Sequence, residues 1–355
     1  MSDAITSSEK KLYETCMQEA LDSARQAWGM TRPNPMVGAV VLDESGNVVG
    51  RGHHHKAGGP HAEVLAIQQA GERAKNGTII VTLEPCSTYG RTPPCTECLI
   101  QSGIRRVVIG TFDPNPLHAG KAVPVLQKAG IEVVSDILTE ECRDLNSVFN
   151  YFIVNKKPWV LLKMAMTLDG KIATYTGDSK WITGTAARER VQYLRRRAAA
   201  IMVGGNTVRA DHPRLDVRSP EDWPQELQPR RIVFSQHLTE EEARTLLPPP
   251  ERPLSVVNME TTAEWNQLLE KLGKENCDML LLEGGGELAA AALQAGIVNE
   301  VEFHIAPKLL SGRDSRPVLG GPNPAALADA VGLEKTEMFR LGEDFAIRGL
   351  VKKGL

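Results

Sequence analysis

The sequence predicts an α/β protein built as two layered domains, and three observations carry that reading. Strand-like apolar runs alternate with helical patterns, which is the order that gives helices packed on a sheet. The 355 residues exceed what a single core usually serves. A polar stop with a proline, NKKPW at 155–159, is followed by a fresh strand pattern. The expected domains are therefore residues 1–155 and 158–355.

The elements of the first half follow from local pattern. KKLYETCMQEALDSARQA carries Leu12, Cys16, Ala20 and Ala24 at helical spacing. PMVGAVVL, the polar DESGN and VVGRG form a hairpin signal. HAEVLAIQQAGERA is expected to be helical and closed by Gly77. TIIVTL is a strand, CTECLIQSG a short helix and RRVVIG a strand, with the turn-rich DPNP after it. AVPVLQKAG and IEVV give another helix and strand, and TEECRDLNSVFNYFIVN reads as one last helix. In the second half WVLLKMAMTLDG starts a strand, TAARERVQYLRRR a helix and AAIMVGG a strand. Residues 209–230, rich in Pro, Arg and Asp, read as a loop. RRIVFS, RPLSVV and VNEVEFHIAP are strands, DMLLLEGGGELAAAALQAG is a strand, glycine turn and helix, and two strand-like pieces close the chain around 335–351.

Composition narrows the function classes. Apolar residues make up 42% and charged residues 24%, as in soluble globular proteins. The net charge of -3 gives no global attraction to nucleic acid or anionic membrane. No apolar run approaches the roughly 20 residues of a membrane span. The polar start, MSDAITSSEKK, lacks an apolar signal core, and six scattered cysteines do not make a disulfide scaffold. The cytoplasm is the expected compartment, and there clustered thiols point to metal.

The cluster is VTLEPCSTYGRTPPCTEC at 81–98, together with PHAE at 60–63. His61 and Glu63 open one helix. TLEPC runs a strand into Pro85, read as a helix start that delivers Cys86, and TPPC delivers Cys95 in the same way. A thiol at a helix N-terminus is favoured as thiolate. One imidazole and two thiolates would hold Zn²⁺ with its fourth position left to water, the pattern of catalytic zinc sites, and such water ionises near pH 7. Glu63, beside the metal without binding it, can move the water's proton to a leaving amine. The segments match the H-x-E…P-C-x-x-C signature of zinc deaminases. PCTEC taken alone would select Cys95 and Cys98, while the other pair is Cys86 and Cys95. The HHH run at 53–55 is read mainly as a strand end facing water.

RPNPMVGAVV, GRGHHHKAGGPHAE, TLEPCSTYGRTPPC and DPNP, in this order, resemble the deaminase half of the bifunctional riboflavin-biosynthesis deaminase–reductases. The resemblance implies a cytidine-deaminase-like three-layer α/β/α domain. It places zinc on His61, Cys86 and Cys95, the proton shuttle on Glu63, and substrate contacts on Asn34, His54, Arg91 and Asn115. The implied reaction is hydrolytic deamination of a diaminohydroxypyrimidine carrying a ribosyl phosphate. The sequence departs from the family at Thr88, where His is frequent, and at Lys121-Ala122, where Arg-Gly is common.

Four patches stand out in the second half: KMAMTLDGKIA, SKWITG, VGGNTVRADHPRLDVR and EGGGELAAA. Glycines before a helix let a phosphate approach free N–H groups. EGGGELAAA is neither a P-loop nor GxGxxG, so a Rossmann domain is disfavoured while a dinucleotide stays plausible. Arg209, Arg214 and Arg218 suit a phosphorylated substrate. These patches are similar to the reductase half of the same family, which extends the resemblance over essentially the whole chain. It implies a dihydrofolate-reductase-like α/β domain using NADPH, with cofactor contacts at Ala165, Trp181, Thr207, Asp211, Gly285 and Gly286. Implied substrate contacts are Lys163, Ser179, Arg195, Leu215, Arg218 and Glu283, with Lys163 and Glu283 orienting and protonating the sugar as it opens to a ribityl chain. Self-association through the reductase half is typical of the family.

The rival reading is a zinc deaminase of nucleic-acid bases with an RNA-binding second domain. It calls for a basic surface and stacking aromatics, whereas aromatics are 5% and the net charge is negative. A small phosphorylated pyrimidine, with neither nucleic acid nor membrane as partner, is the expectation.

Overall fold

The structure, a computed structural model, describes residues 5–89, 93–116, 118–249, 252–322 and 324–352. The chain divides between Lys156 and Lys157 into two compact units.

The first unit begins with α1 (Ser7–Arg25) and the hairpin β1 (Gly38–Leu42) and β2 (Val48–His53). Then come α2 (Ala62–Ala70), β3 (Thr78–Leu83), α3 (Cys95–Gln101), β4 (Arg106–Thr111), α4 (Ala122–Lys128), β5 (Glu132–Val134), α5 (Thr139–Leu145) and α6 (Ser147–Asn155). The strand order is β2-β1-β3-β4-β5, with β1 antiparallel to β2 and β3 and the remaining pairs parallel. Strand residues alternate between faces. Ala39, Val41, Ile79 and Val81 pack against Ala62 and Ala66 of α2, Leu99 of α3 and Leu126 of α4. Val40, Leu42, Ile80 and Val108 pack against Met17, Ala20 and Leu21 of α1 and Cys142 of α5. Both faces are covered, which is why these strands read as unbroken apolar runs. At Gly52 an added Cβ would lie 2.4 Å from the Ala62 carbonyl, so only glycine lets the start of α2 press on β2.

The second unit contains β6 (Trp159–Thr167), β7 (Lys171–Ala173), α7 (Thr185–Arg197), β8 (Ala200–Gly204), α8 (Gly205–Asp211), β9 (Arg230–Phe234), α9 (Glu240–Leu246) and β10 (Leu254–Val257). It continues with α10 (Thr262–Lys274), β11 (Met279–Glu283), α11 (Gly286–Gln294), β12 (Glu300–Ala306), β13 (Arg316–Pro317), β14 (Leu333–Leu341) and β15 (Asp344–Val351). Its main sheet runs β10-β9-β8-β11-β6-β12-β15-β14. The strands are parallel through β12, and β15 and β14 close the sheet as an antiparallel hairpin. Val160, Leu162, Leu280 and Leu282 face Trp265 and Leu269 of α10 and Leu288 of α11. The alternate residues, Lys163 and Glu283 among them, face α7.

The structure corrects several local expectations. Leu12 is exposed, and the stripe α1 buries runs through Tyr13, Cys16, Met17, Ala20, Leu21 and Ala24. The α2 helix ends at Gly71, which takes φ 57°, and not at Gly77. Cys86 follows β3 on a stretch without helix. Arg209–Asp211 belong to α8 and not to a loop. The last helix of the first unit is broken at Asn146, whose buried amide accepts from the Met36 N–H and donates to the Met36 carbonyl, both at 2.8 Å. Besides α8, the helices α9 and α10 went unforeseen. Each starts with a capping box, Thr239 with Glu242 and Thr261 with Glu264.

Asn146→Ala removes both bonds and leaves the Met36 N–H buried without a partner. The expected destabilisation of the first unit is about 2 kcal/mol, read as a lower urea midpoint with an unchanged slope.

Candidate active sites

In the first unit His61 is the N-cap of α2 and Cys95 the first residue of α3. His61 Nδ1 lies 3.1 Å from Cys95 Sγ and 3.6 Å from Cys86 Sγ. The three donor atoms all fall within 4.8 Å of one another. Zinc bonds of about 2.3 Å to sulfur and about 2.0 Å to nitrogen call for donor separations of this order. The residues therefore fit a zinc ion with three protein ligands. Cys98 belongs to no such group among the described residues.

The electrostatics among these side chains suit a cation. The Cys95 N–H, at the start of α3, donates to Cys86 Sγ at 3.2 Å. Helix support for Cys86 thus comes from α3, not from a helix of its own. The Cys95 thiol hydrogen bond, then that of His61, lowers the Cys86 pKa to about 4, while that same hydrogen bond, then burial, pushes Cys95 up. The hydrogen bond to Cys86 raises the His61 pKa. Glu63 is 3% exposed; burial first, then the Cys86 charge, pushes its carboxyl above the usual range.

His54 is buried, its ring centroid 5.4 Å from that of His61. Its Nδ1 meets the Pro60 carbonyl at 3.0 Å, and its Nε2 has no hydrogen-bond partner among the described residues. Of the HHH run, His53 is half-buried against Ser23 and only His55 is exposed. Asn34 is exposed on the loop before β1, and Asn115 lies after β4. Arg91 lies outside the described residues. Thr88 Oγ1 is 3.3 Å from His118 Nδ1, so a histidine from the later loop meets the position that departs from the family pattern.

Glu84 was not singled out in the sequence. Its buried carboxylate accepts from the N–H groups of Asp113 at 3.2 Å and of Gly120 and Ala122 at 2.9 Å. It thereby ties the segment carrying Asn115 to the strand end that delivers Cys86. The available signal was an acidic residue ending an apolar strand, in TLEPC.

The second unit holds a cleft of about 1130 Å³ along the C-terminal ends of β8 and β11 and the middle of β6. All of the residues expected to bind cofactor or substrate in this half line it: Lys163, Ala165, Ser179, Trp181, Arg195, Thr207, Asp211, Leu215, Arg218, Glu283, Gly285 and Gly286. Gly284 and Gly285 take φ of 78° and 85°, which glycine adopts without strain, and a Cβ on Gly285 would stand 3.4 Å from Thr207 Oγ1. Trp181 is largely exposed, with the Arg188 guanidinium 4.7 Å from its ring centre. Lys180 crosses to Asp211 at 3.4 Å.

At the inner end of the cleft, Arg195 Nε and Nη2 donate to the two Glu283 oxygens at 2.7 and 2.6 Å. Burial alone would raise the Glu283 pKa, but the Arg195 charge and hydrogen bonds, with Lys163 and Arg218 behind them, hold it below the usual range. Lys163 is register partner to Glu283, and burial brings its pKa down to about 8 despite that carboxylate. Asp216 accepts from Arg214 Nε at 2.9 Å and pairs with Arg218. The Leu215 carbonyl, at a residue with φ 51°, accepts from Arg252 at 2.8 Å.

Residues 10–111 match the cytidine and deoxycytidylate deaminase zinc-binding region, and residues 158–347 match the RibD C-terminal domain. The chain is 43% identical to the riboflavin biosynthesis protein RibD of Actinobacillus pleuropneumoniae, over 93% of each chain. It is 38% identical to that of Escherichia coli, over 94% of this chain and 98% of the other. A solved structure of Acinetobacter baumannii RibD superposes with a TM-score of 0.85 at 35% identity, covering 97% of this chain and all of the other. The diaminohydroxyphosphoribosylaminopyrimidine deaminase/5-amino-6-(5-phosphoribosylamino)uracil reductase of Thermotoga maritima superposes with a TM-score of 0.81 at 33% identity, over 97% of this chain. The two α/β folds expected from the sequence are those of these structures.

Zinc analysis of purified protein is expected to give about one ion per chain. Cys86→Ser should lower that content sharply, and Cys98→Ser should leave it unchanged.

Proposed function

The chain belongs to the RibD family of riboflavin biosynthesis proteins, enzymes that join a zinc-dependent pyrimidine deaminase to an NADPH-dependent reductase, and from that premise we propose how its own residues divide the two reactions. The substrate is a pyrimidine bearing a ribosyl phosphate; it loses its exocyclic amine and then has its ribosyl group reduced to a ribityl chain. The observation that carries the assignment is that each motif set closes into a site of its own, one in each unit. Because the second half matches a reductase domain, the rival RNA-binding reading is not favoured.

Bound zinc would supply the acidity that makes water a nucleophile at neutral pH, and NADPH the hydride. His61, Cys86 and Cys95 are assigned to the metal. Glu63, dry and raised in pKa, can accept a proton and return it to the departing ammonia. His54, whose Nε2 has no hydrogen-bond partner among the described residues, is assigned to the pyrimidine, together with Asn34, Asn115 and Arg91.

In the reductase site the charges separate two roles. Glu283 stays ionised beside Arg195, so it orients the sugar and does not donate to it. Lys163, with a pKa near neutrality, is the group able to give a proton to the ring oxygen as the sugar opens. Arg218 and Arg195 suit the anionic end of the substrate. The glycine turn at 284–286 and Thr207 leave room for a dinucleotide. The cytoplasm is assigned because a site built on two free thiols suits a reducing compartment. Among the described residues no helix is long and apolar enough to cross a membrane.

Glu63→Gln is expected to keep zinc and to slow ammonia release about 10²- to 10⁴-fold; undiminished release would refute the role. For the second reaction, Lys163 is an ammonium below about pH 8 and a neutral amine above it. NADPH oxidation with the deaminated intermediate should therefore fall as pH rises through that value. Lys163→Met should lose most of it at every pH.

A further inference from the structure

Three neighbouring strands set three charges in one row, the last of them fully buried. Glu283 on β11 is register partner to Lys163 on β6, and Lys163 is register partner to Glu302 on β12. Register partners on parallel strands project to the same face, so Lys163 has a carboxylate on either side. Glu302 is 0% exposed. Arg190 of α7 donates to its two oxygens at 2.9 and 2.7 Å, as Arg195 of the same helix does to Glu283. His304, also 0% exposed, lies 2.8 Å from Glu302 Oε1, and its Nδ1 has no hydrogen-bond partner among the described residues. The row therefore alternates in sign: Arg195, Glu283, Lys163, Glu302, Arg190. A fully buried carboxylate is costly to keep ionised, and none of the residues assigned above to substrate or cofactor explains this one.

We propose that Glu302, fixed by Arg190 and His304, is a positioning residue of the reductase site that holds the Lys163 ammonium in line with Glu283 and keeps it charged. The inference rests on the reading of Lys163 as proton donor. Electrostatics support the geometry. Glu283 and Glu302 both favour the charged form of Lys163, while burial and Arg195 oppose it. Burial holds the His304 pKa below its ordinary value, so at neutral pH this imidazole brings no charge of its own. Arg218 acts on Glu283, and Arg348 of β15 lies behind Glu302. With Glu302 neutral, Lys163 would share one carboxylate with two arginines.

The full-length protein, labelled at lysine side chains, gives a Lys163 NMR signal identified as the one lost in Lys163→Met. In Glu302→Gln its titration midpoint should move down by on the order of one pH unit, and the basic limb of NADPH oxidation should move with it. In the double variant Glu302→Gln with Arg190→Gln the unbalanced cation is gone, and the midpoint should return toward that of the unaltered protein. A midpoint unmoved in Glu302→Gln, or displaced as far in the double variant as in the single, overturns the assignment. Undiminished reduction by Lys163→Met would instead overturn the proton-donor reading, leaving the midpoint comparison to decide the role of Glu302 by itself.

Discussion

Keeping a charge in a dry place is the constraint that shapes both units. A buried ion is tolerated only where hydrogen bonds and an opposite charge replace the water it has lost. The reductase site meets this with Arg195, whose planar fork matches both oxygens of Glu283. Without that pair Glu283 would take up a proton and Lys163 would lose the carboxylate that helps keep it charged. The deaminase site meets the same constraint differently. Its thiols, left to themselves, hold one negative charge between them, and the pull on His61 shows how far the site favours a cation. Glu63 stands beside this charge and away from water, and the loss of solvent first, then the Cys86 charge, raises its proton affinity.

The fold places these groups because its strand ends do. In the second unit the parallel strands β8 and β11 end at the cleft, where ligands bind in open α/β sheets, and β6 lines it with residues 163–165. Glu283 sits at the end of β11 with Lys163 beside it in the middle of β6, on the face opposite the apolar core formed with α10 and α11. In the first unit α2 and α3 start beside one another because small residues let them lie close to the sheet. Ala62 and Ala66 do this for α2, and Gly52 opens β2 to receive it.

Much of this was legible in the sequence, for identifiable reasons. His61, Cys86 and Cys95 lie in short segments that resemble the deaminase family, and that resemblance, not spacing, chose Cys86 over Cys98. The alternation of strands and helices gave the layering. Period alone placed Cys16, Ala20 and Ala24 on the buried face of α1, but it also included Leu12, which matches the spacing and is exposed. The break at Asn146 was invisible because it depends on a pairing with Met36, 110 residues away. Helices α9 and α10 carried capping boxes that could have been read from the letters. Glu84, Arg190 and Glu302 look like ordinary charged residues in sequence, since only the register of the strands and the return of a loop reveal what each one meets.

Glu84 shows how much one such residue can organise. Its carboxylate holds three N–H groups of the segment after β4, while its own backbone leads within two residues to Cys86. The loop that would meet the pyrimidine is thus anchored to the same strand end as Cys86, a candidate metal ligand. The conformational freedom of that loop is surrendered once, when the chain folds, and need not be surrendered again at each encounter with substrate.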